Sequence, residues 1–148
     1  MSDATVGGGY MSILGWGGRL EILSPDECRR LLESSQVGRL GYCTDFGPRI
    51  VPMNYTLVGE SITFRTGSGT EAARHVPSHA VAFEVDHIDE SLKTGWSVLV
   101  LGNARLLDAA SVLMLDVRKA PRPWPEGHRS LILQLPLSTV TGRRVHPA

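Results

Sequence analysis

Excess charge, paired cysteines and long apolar runs are all missing from this sequence. Lys plus Arg total 15 and Asp plus Glu total 15, so the formal net charge is zero. That balance excludes binding to nucleic acid through bulk positive charge. It also leaves little self-repulsion to oppose self-association. Only two cysteines are present, Cys28 and Cys43. They form no CxxC, and no Cys/His set has zinc spacing, so no metal site is expected. They read as reduced thiols used as small apolar residues in a cytoplasmic protein. No apolar run approaches a bilayer span, so no transmembrane helix or membrane partner is expected. The stretch from Met1 to Tyr10 has neither a basic residue nor an apolar core, so a secretory signal is not expected.

What remains is the composition of a folded domain. The chain has 148 residues, 42% of them hydrophobic and 20% charged. One domain fits that length, and it would bury about 70% of the surface its unfolded chain exposes. Residues 1–18 are glycine-rich with little apolar periodicity and read as a flexible arm. Residues 19–148 read as the domain. Leu20 to Leu23 suggests a short extended piece.

Ser24-Pro25-Asp26-Glu27 is a helix start, with serine as cap, proline at the first position and glutamate three after the cap. Cys28, Leu31 and Leu32 form its apolar stripe, Asp26 and Arg30 have i,i+4 spacing, and the helix is expected to end near Ser35. Strands are expected at 37–43, 49–58 and 61–66, joined by short turns into a meander. In the second, Val51, Met53, Tyr55 and Leu57 share one face while Ile50, Pro52, Asn54 and Thr56 share the other. A short helix at 70–75 stops before Pro77. Further strands are expected at 80–86, 96–107 and 130–135, with 138–145 as a continuation of the last. Asp108 to Ala120 reads as a second long helix capped by Asp108. Val98, Leu99, Val100 and Leu101 make the fifth strand apolar on both faces, which calls for cover on both sides. A second copy of the chain would supply it. Six short strands with a few helices favour a mainly β fold, a small antiparallel barrel with helical additions.

Three places carry candidate chemistry. Pro52 stands mid-strand and cannot donate a ladder hydrogen bond. Either it protects an edge, or the backbone of Pro52-Met53-Asn54-Tyr55 faces a ligand. Arg65-Thr66-Gly67-Ser68-Gly69-Thr70 gathers N–H groups and hydroxyls between a strand end and a helix start, which suits a phosphate, with Arg65 and Arg74 beside it. Trp96 and Trp124 read as core or interface residues, or as walls for a flat aromatic ligand. The five histidines include no HExxH, and no serine has a nucleophile-elbow context. Glu84 and Asp86 share a strand face and are expected to meet solvent or an arginine.

Taken in order, several segments resemble the pyridoxamine 5′-phosphate oxidase-like family of flavin-binding split barrels, in particular its compact actinobacterial-type members. They are Val37-Gly38-Arg39-Leu40-Gly41, Ile50-Val51-Pro52-Met53-Asn54-Tyr55, Phe64-Arg65-Thr66 with Gly69-Thr70, Val81 to Asp86, Gly95-Trp96-Ser97-Val98 and Thr141-Gly142-Arg143-Arg144. The resemblance implies a six-stranded antiparallel split barrel that forms a homodimer with two sites at its interface. It implies FMN, with the isoalloxazine against Pro52, Met53, Asn54 and Tyr55. The phosphate would map to Arg65, Thr66, Gly69 and Thr70. Thr70 stands where members often carry lysine, so Arg65 or Arg74 would supply the charge. Trp96 and Ser97 match a flavin-contacting segment, and Trp124 is placed to cover the site. The C-terminal Arg/His motif of the founding enzymes is not reproduced, so vitamin B6 oxidation is not expected. The implied function is an FMN-dependent oxidoreductase moving hydride to or from a small molecule, with no catalytic side chain assigned. The alternatives are a reductase using the deazaflavin coenzyme, and a non-catalytic flavin or haem carrier.

Overall fold

A computed structural model describes residues 18–116, 119–124 and 126–148. In chain order it contains β1 (Arg19–Ile22), α1 (Pro25–Glu33), β2 (Val37–Thr44), β3 (Gly47–Val58), β4 (Ser61–Thr66) and α2 (Glu71–His75). There follow β5 (Ala80–Asp89), β6 (Thr94–Asn103), β7 (Arg105–Leu106), α3 (Ala109–Met114), β8 (Leu131–Pro136) and β9 (Thr139–His146). The proposed arm, apart from Gly18, lies outside the described residues. No helix among the described residues is long and apolar enough to cross a membrane.

The start of α1 forms as its residues dictate. The Ser24 hydroxyl accepts from the Glu27 N–H at 3.3 Å, and the Glu27 carboxylate accepts from the Ser24 N–H at 3.0 Å. Cys28 and Leu32 are the residues this helix buries. It lies close against β9, because a Cβ at Gly142 would stand 2.5 Å from Cys28 Sγ. The ion pair along the helix is Arg29–Glu33 at 3.4 Å, in place of the expected Asp26–Arg30.

The strands form one curled antiparallel sheet in the order β1-β9-β6-β5-β2-β3-β4-β8-β7. The expected meander is β2-β3-β4, with Gly59 at φ +60° in its second turn. Among the described residues nine strands are present where six were expected. The short piece near residue 20 pairs with β9. The long strand expected at 96–107 is interrupted at the buried Ala104, which separates β6 from β7. The chain after Pro136 does not continue β8. It turns, and β9 pairs with β6 and β1 while β8 pairs with β4 and β7. A proline at the end of β8 thus marks a change of sheet partner.

The core lies inside the curl. Tyr55 meets Phe83 edge-on with centroids 5.1 Å apart, and Phe83 stacks near Phe64 at 6.1 Å. Val98 and Val100 of β6 are fully buried among these. On the opposite face of β6, Leu99 is half-buried and Leu101 stays 43% exposed, so among the described residues the cover on this side is incomplete. The helix expected at 108–120 is shorter. Asp108 caps it, accepting from Ser111 N–H at 2.7 Å, but α3 ends at Met114 and buries no residue. Without a buried stripe nothing holds further turns in place.

Two glycines of β2 make opposite predictions. A Cβ at Gly38 would stand 2.3 Å from the Phe83 ring and 2.8 Å from the Glu84 carbonyl oxygen, whereas one at Gly41 meets nothing closer than 3.6 Å. Gly38→Ala is expected to lower stability by about 1–3 kcal/mol through overpacking. Gly41→Ala is expected to be neutral or slightly stabilising, since alanine loses less backbone entropy on folding. Urea unfolding midpoints at constant slope check both.

Candidate functional site: a cleft where two strands part

β3 and β4 pair from Val58–Ser61 to Tyr55–Phe64, and there the ladder ends. Beyond that point β3 runs on beside β2 alone, from Asn54 opposite Val37 to Gly47 opposite Thr44. Arg65 and Thr66 of β4 run on beside β8, opposite Ile132 and Leu131. One edge of Val51–Asn54 is therefore left without a strand partner among the described residues. The Tyr55 N–H points toward β2, reaching the Gln36 carbonyl at 3.0 Å. Main-chain groups alternate sides along a strand, so those of Pro52 and Asn54 face the open side. Proline has no N–H, so its place here leaves no donor stranded. Pro52 is in the middle of the sheet order, yet it sits on a local edge.

The gap between the parted strands is a cavity of about 250 Å³. Val51, Pro52, Met53 and Asn54 line one wall, and Arg65, Thr66 and Thr70 line the other. Tyr42, Glu71, Ala72, Pro123 and Arg129 complete it. Of the residues singled out in the sequence, Pro52, Met53, Asn54, Arg65, Thr66 and Thr70 thus share one space. Gly69, in the adjoining turn, and Arg74, in α2, do not line it; Arg74 Nη1 donates to the Gly69 carbonyl at 3.1 Å. Tyr55 does not line it. Its ring is buried in the core and its hydroxyl donates to the Leu32 carbonyl, so its side chain is not a wall of the cleft. Trp124 is joined to the site through its main chain, its N–H donating to Asn54 Oδ1 at 3.0 Å. Its indole is 72% exposed, and Pro123 is the loop residue that reaches the cavity. Trp96 and Ser97 line a different hollow of about 530 Å³ beside Ile88, Arg143 and Val145.

The turn after β4 uses its own hydroxyls. Thr70 Oγ1 donates to the Gly67 carbonyl at 2.9 Å and accepts from the Ala73 N–H at 3.2 Å. Thr66 Oγ1 lies 2.8 Å from Thr70 Oγ1. A hydroxyl has one proton to give. With Thr70 giving its own to Gly67, Thr66 gives its proton to Thr70. Neither threonine then keeps a donor for an anion. α2 is only five residues long, so its dipole adds little. The guanidinium of Arg65 is different: its Nε is buried and has no hydrogen-bond partner. Positive charge at this wall therefore rests on Arg65, with Arg129 beside it.

One carboxylate, Glu71, borders the same space. Tyr42 donates to its Oε1 at 3.1 Å, and Arg49 Nε stands 3.3 Å from the same oxygen. Burial, then the bond to Glu71, pushes the Tyr42 phenol above its ordinary range. Glu71 is thus tied to a phenol and a guanidinium and does not cancel Arg65. Sequence reading missed Tyr42, Glu71, Pro123 and Arg129. Tyr42 alternates in phase with Leu40 on the buried face of β2, which was the available sign for it. Nothing local distinguishes Pro123 or Arg129. Elsewhere, Arg39 Nη1 meets Glu84 at 3.1 Å and Asp86 at 3.0 Å, as expected of that carboxylate pair. No cluster of three metal-binding side chains occurs among the described residues.

Comparison with known proteins bears on this arrangement. The sequence profile of the family described as pyridoxamine 5′-phosphate oxidase matches residues 24–144. The chain belongs to this family. The match takes in both walls of the cleft. The chain is 31% identical over 129 residues to the uncharacterized protein Rv0080 of Mycobacterium tuberculosis, covering 83% of this chain and 84% of that one. A solved FAD binding protein from Mycobacterium smegmatis is 31% identical, with a TM-score of 0.71 over 84% of this chain and 97% of that one. A putative pyridoxamine 5′-phosphate oxidase from Corynebacterium glutamicum is 23% identical, with a TM-score of 0.71 over 87% of this chain and 95% of that one, and shares the fold. The curled sheet is therefore the family's split barrel, built from nine strands among the described residues.

Tyr55 gives this site a stability test that is independent of any ligand. Burial pushes its phenol above the ordinary range, so the folded state resists its ionisation. A folded pKa above the unfolded one means the contribution is complete below about pH 10 and is lost as pH rises further. Stability is expected to fall above about pH 10, by up to about 1.4 kcal/mol per pH unit for this group. Tyr55→Phe is expected to cost about 1–3 kcal/mol at neutral pH, because the Leu32 carbonyl loses its donor, and to flatten the alkaline slope. Denaturant titrations at pH 7 and above pH 10 measure both.

Proposed function

We propose that the cleft between β3 and β4 binds a flavin and that the protein is a flavin-dependent oxidoreductase acting on a small molecule. The observation that carries this reading is the unpaired main-chain edge of Val51–Asn54 facing a buried, partnerless Arg65 Nε across one cavity. A flat heteroaromatic ring with hydrogen-bonding edges matches the first, and a phosphate at the end of its side chain matches the second. Membership of the family and the 31% identical FAD binding protein support the same reading.

A bound flavin would supply the hydride transfer. The chain's own part is to hold and orient. Pro52 and Met53 would give the ring a main-chain platform. Asn54 would fix the site's cover, since its Oδ1 already holds the loop at Trp124. Arg65 would take the FMN phosphate, with Thr66 and Thr70 shaping the turn around it. No side chain is assigned an acid or base role.

The reading includes a homodimer. Leu101 and Ile50 lie exposed on the outer face of the sheet, as do Leu20 and Val145 beside the second hollow. A second copy covering that face would bury this apolar surface. It would also bring Trp96 and Ser97 of one protomer toward the cleft of the other, which a single chain keeps apart.

The test compares FMN with riboflavin, which lacks the phosphate. Wild-type protein is expected to bind FMN more tightly. Arg65→Gln is expected to weaken FMN about 10–100-fold, the loss of one charged hydrogen-bonding partner, and to leave riboflavin nearly unchanged. Thr66→Val is expected to matter less, since its donor is already used. Fluorescence titration reads all three, with the deazaflavin coenzyme as a competing ligand. Uptake of the deazaflavin alone would replace the FMN reading, and uptake of neither would end it.

A further inference from the structure

The hollow beside Ser97 shares no residue with the cleft, and strand register sets its shape. Leu20 of β1 stands opposite Val145 of β9, Val145 opposite Gly95 of β6, and Gly95 opposite Ile88 of β5. Cross-strand partners share a face, so these positions form one row across the outer face of the sheet. Leu20, Val145 and Ile88 are exposed. Between them Gly95 carries no side chain, and the row dips at its centre. Packing keeps that position empty: a Cβ there would stand 2.5 Å from the His87 carbonyl oxygen and 3.1 Å from Ile88 Cδ1. The result is an apolar trough of about 530 Å³, inside the ~300–1,000 Å³ usual for small-molecule sites.

The next row brings polar groups. Ile22, Arg143, Ser97 and Asp86 stand opposite one another in the same strand order. Arg143 and Ser97 line the trough, and Asp86 does not. Asp86 is held by Arg39 at 3.0 Å, and Glu84 by the same guanidinium at 3.1 Å. On the other face of β9, Arg144 lies 3.7 Å from Glu27 and 3.9 Å from Glu21. Arg143 differs from both: among the described residues its guanidinium makes no ion pair. At the far end of the trough Asp89 accepts from the Ser91 hydroxyl and the Leu92 N–H, and Glu90 and Lys93 bring opposite charges. One end of an apolar recess is thus cationic, with a hydroxyl beside the charge.

We infer that this trough binds a small apolar carboxylic acid, with its hydrocarbon body among Leu20, Val145 and Ile88 and its carboxylate on Arg143 and Ser97. The site is separate from the cleft and does not rest on the flavin reading. Burial of the hydrocarbon drives binding, and the guanidinium selects an anion and fixes its orientation. An acid suits the recess better than a neutral hydrocarbon, because Arg143 has no other carboxylate to meet. The second copy proposed above would close over the rim, with the acid beneath it.

The experiment is isothermal titration of the full chain with 2-naphthoate, with its neutral analogue 2-naphthamide, and with acetate. The wild type is expected to bind 2-naphthoate about tenfold or more tightly than 2-naphthamide, and acetate is expected to give no measurable heat. Arg143→Gln is expected to weaken 2-naphthoate about tenfold and leave 2-naphthamide nearly unchanged. Ile88→Ser is expected to weaken both several-fold, and Arg65→Gln to change neither. Arg143 and Ile88 are exposed, so neither change is expected to disturb the fold, and circular dichroism checks this. No binding of 2-naphthoate by the wild type, or its loss in Arg65→Gln and not in Arg143→Gln, would overturn the site. A shift from dimer to monomer in Ile88→Ser, with 2-naphthoate affinity unchanged, would assign the rim to a second copy alone and overturn it as well. None of these outcomes bears on the FMN titrations.

Discussion

The position of Tyr55 is the constraint on which the site depends. Its ring is buried edge-on to Phe83, its hydroxyl holds the last turn of α1 through Leu32, and its N–H holds the chain just after that helix through Gln36. Three separate interactions pin β3 at one residue. On its β4 side, that residue is also where the ladder ends. Fixing β3 at Tyr55 lets the neighbouring strands diverge without loss of the core, and the divergence makes the cleft. The residue therefore shapes the cleft without lining it.

The second constraint is electrostatic. Most charges near the site are already satisfied. Glu71 is held by Tyr42 and Arg49, and Glu84 and Asp86 share Arg39 on the outer face of the sheet. Thr66 gives its proton to Thr70, and Thr70 gives its own to the Gly67 carbonyl. Against that background the partnerless Nε of Arg65 stands out. A buried, unpaired donor costs stability unless something meets it, which is why the proposed ligand carries an anionic group.

Much of the fold was legible in the residues. The capping box at Ser24, the alternation along 50–57 and the Gly59-Glu60 turn each forms as read, because each signal is local. The misread parts depended on remote contacts. Nothing local tells that the strand from Trp96 breaks at Ala104, or that the chain after Pro136 joins β6 rather than extending β8. The helix from Asp108 had a correct cap but no surface to bury. The site divides the same way. Pro52 to Asn54 and Arg65 to Thr70 were visible because each run is contiguous. Tyr42, Pro123 and Arg129 were not, because only the curl of the sheet brings them to the cavity. Tyr55 belonged to the right segment and shares the face of Val51 and Met53, but it lies where β3 and β4 are still paired, so its ring packs into the core instead of lining the gap.

Hydrogen exchange with and without FMN tests the central claim most directly, because it reads the main chain on which the claim rests. The account predicts that added flavin slows exchange in segments 51–55 and 65–70, with β8 and β9 unchanged. Protection spread over the outer face of the sheet, or absent from 51–55 while flavin is bound, would contradict it and place the ligand elsewhere.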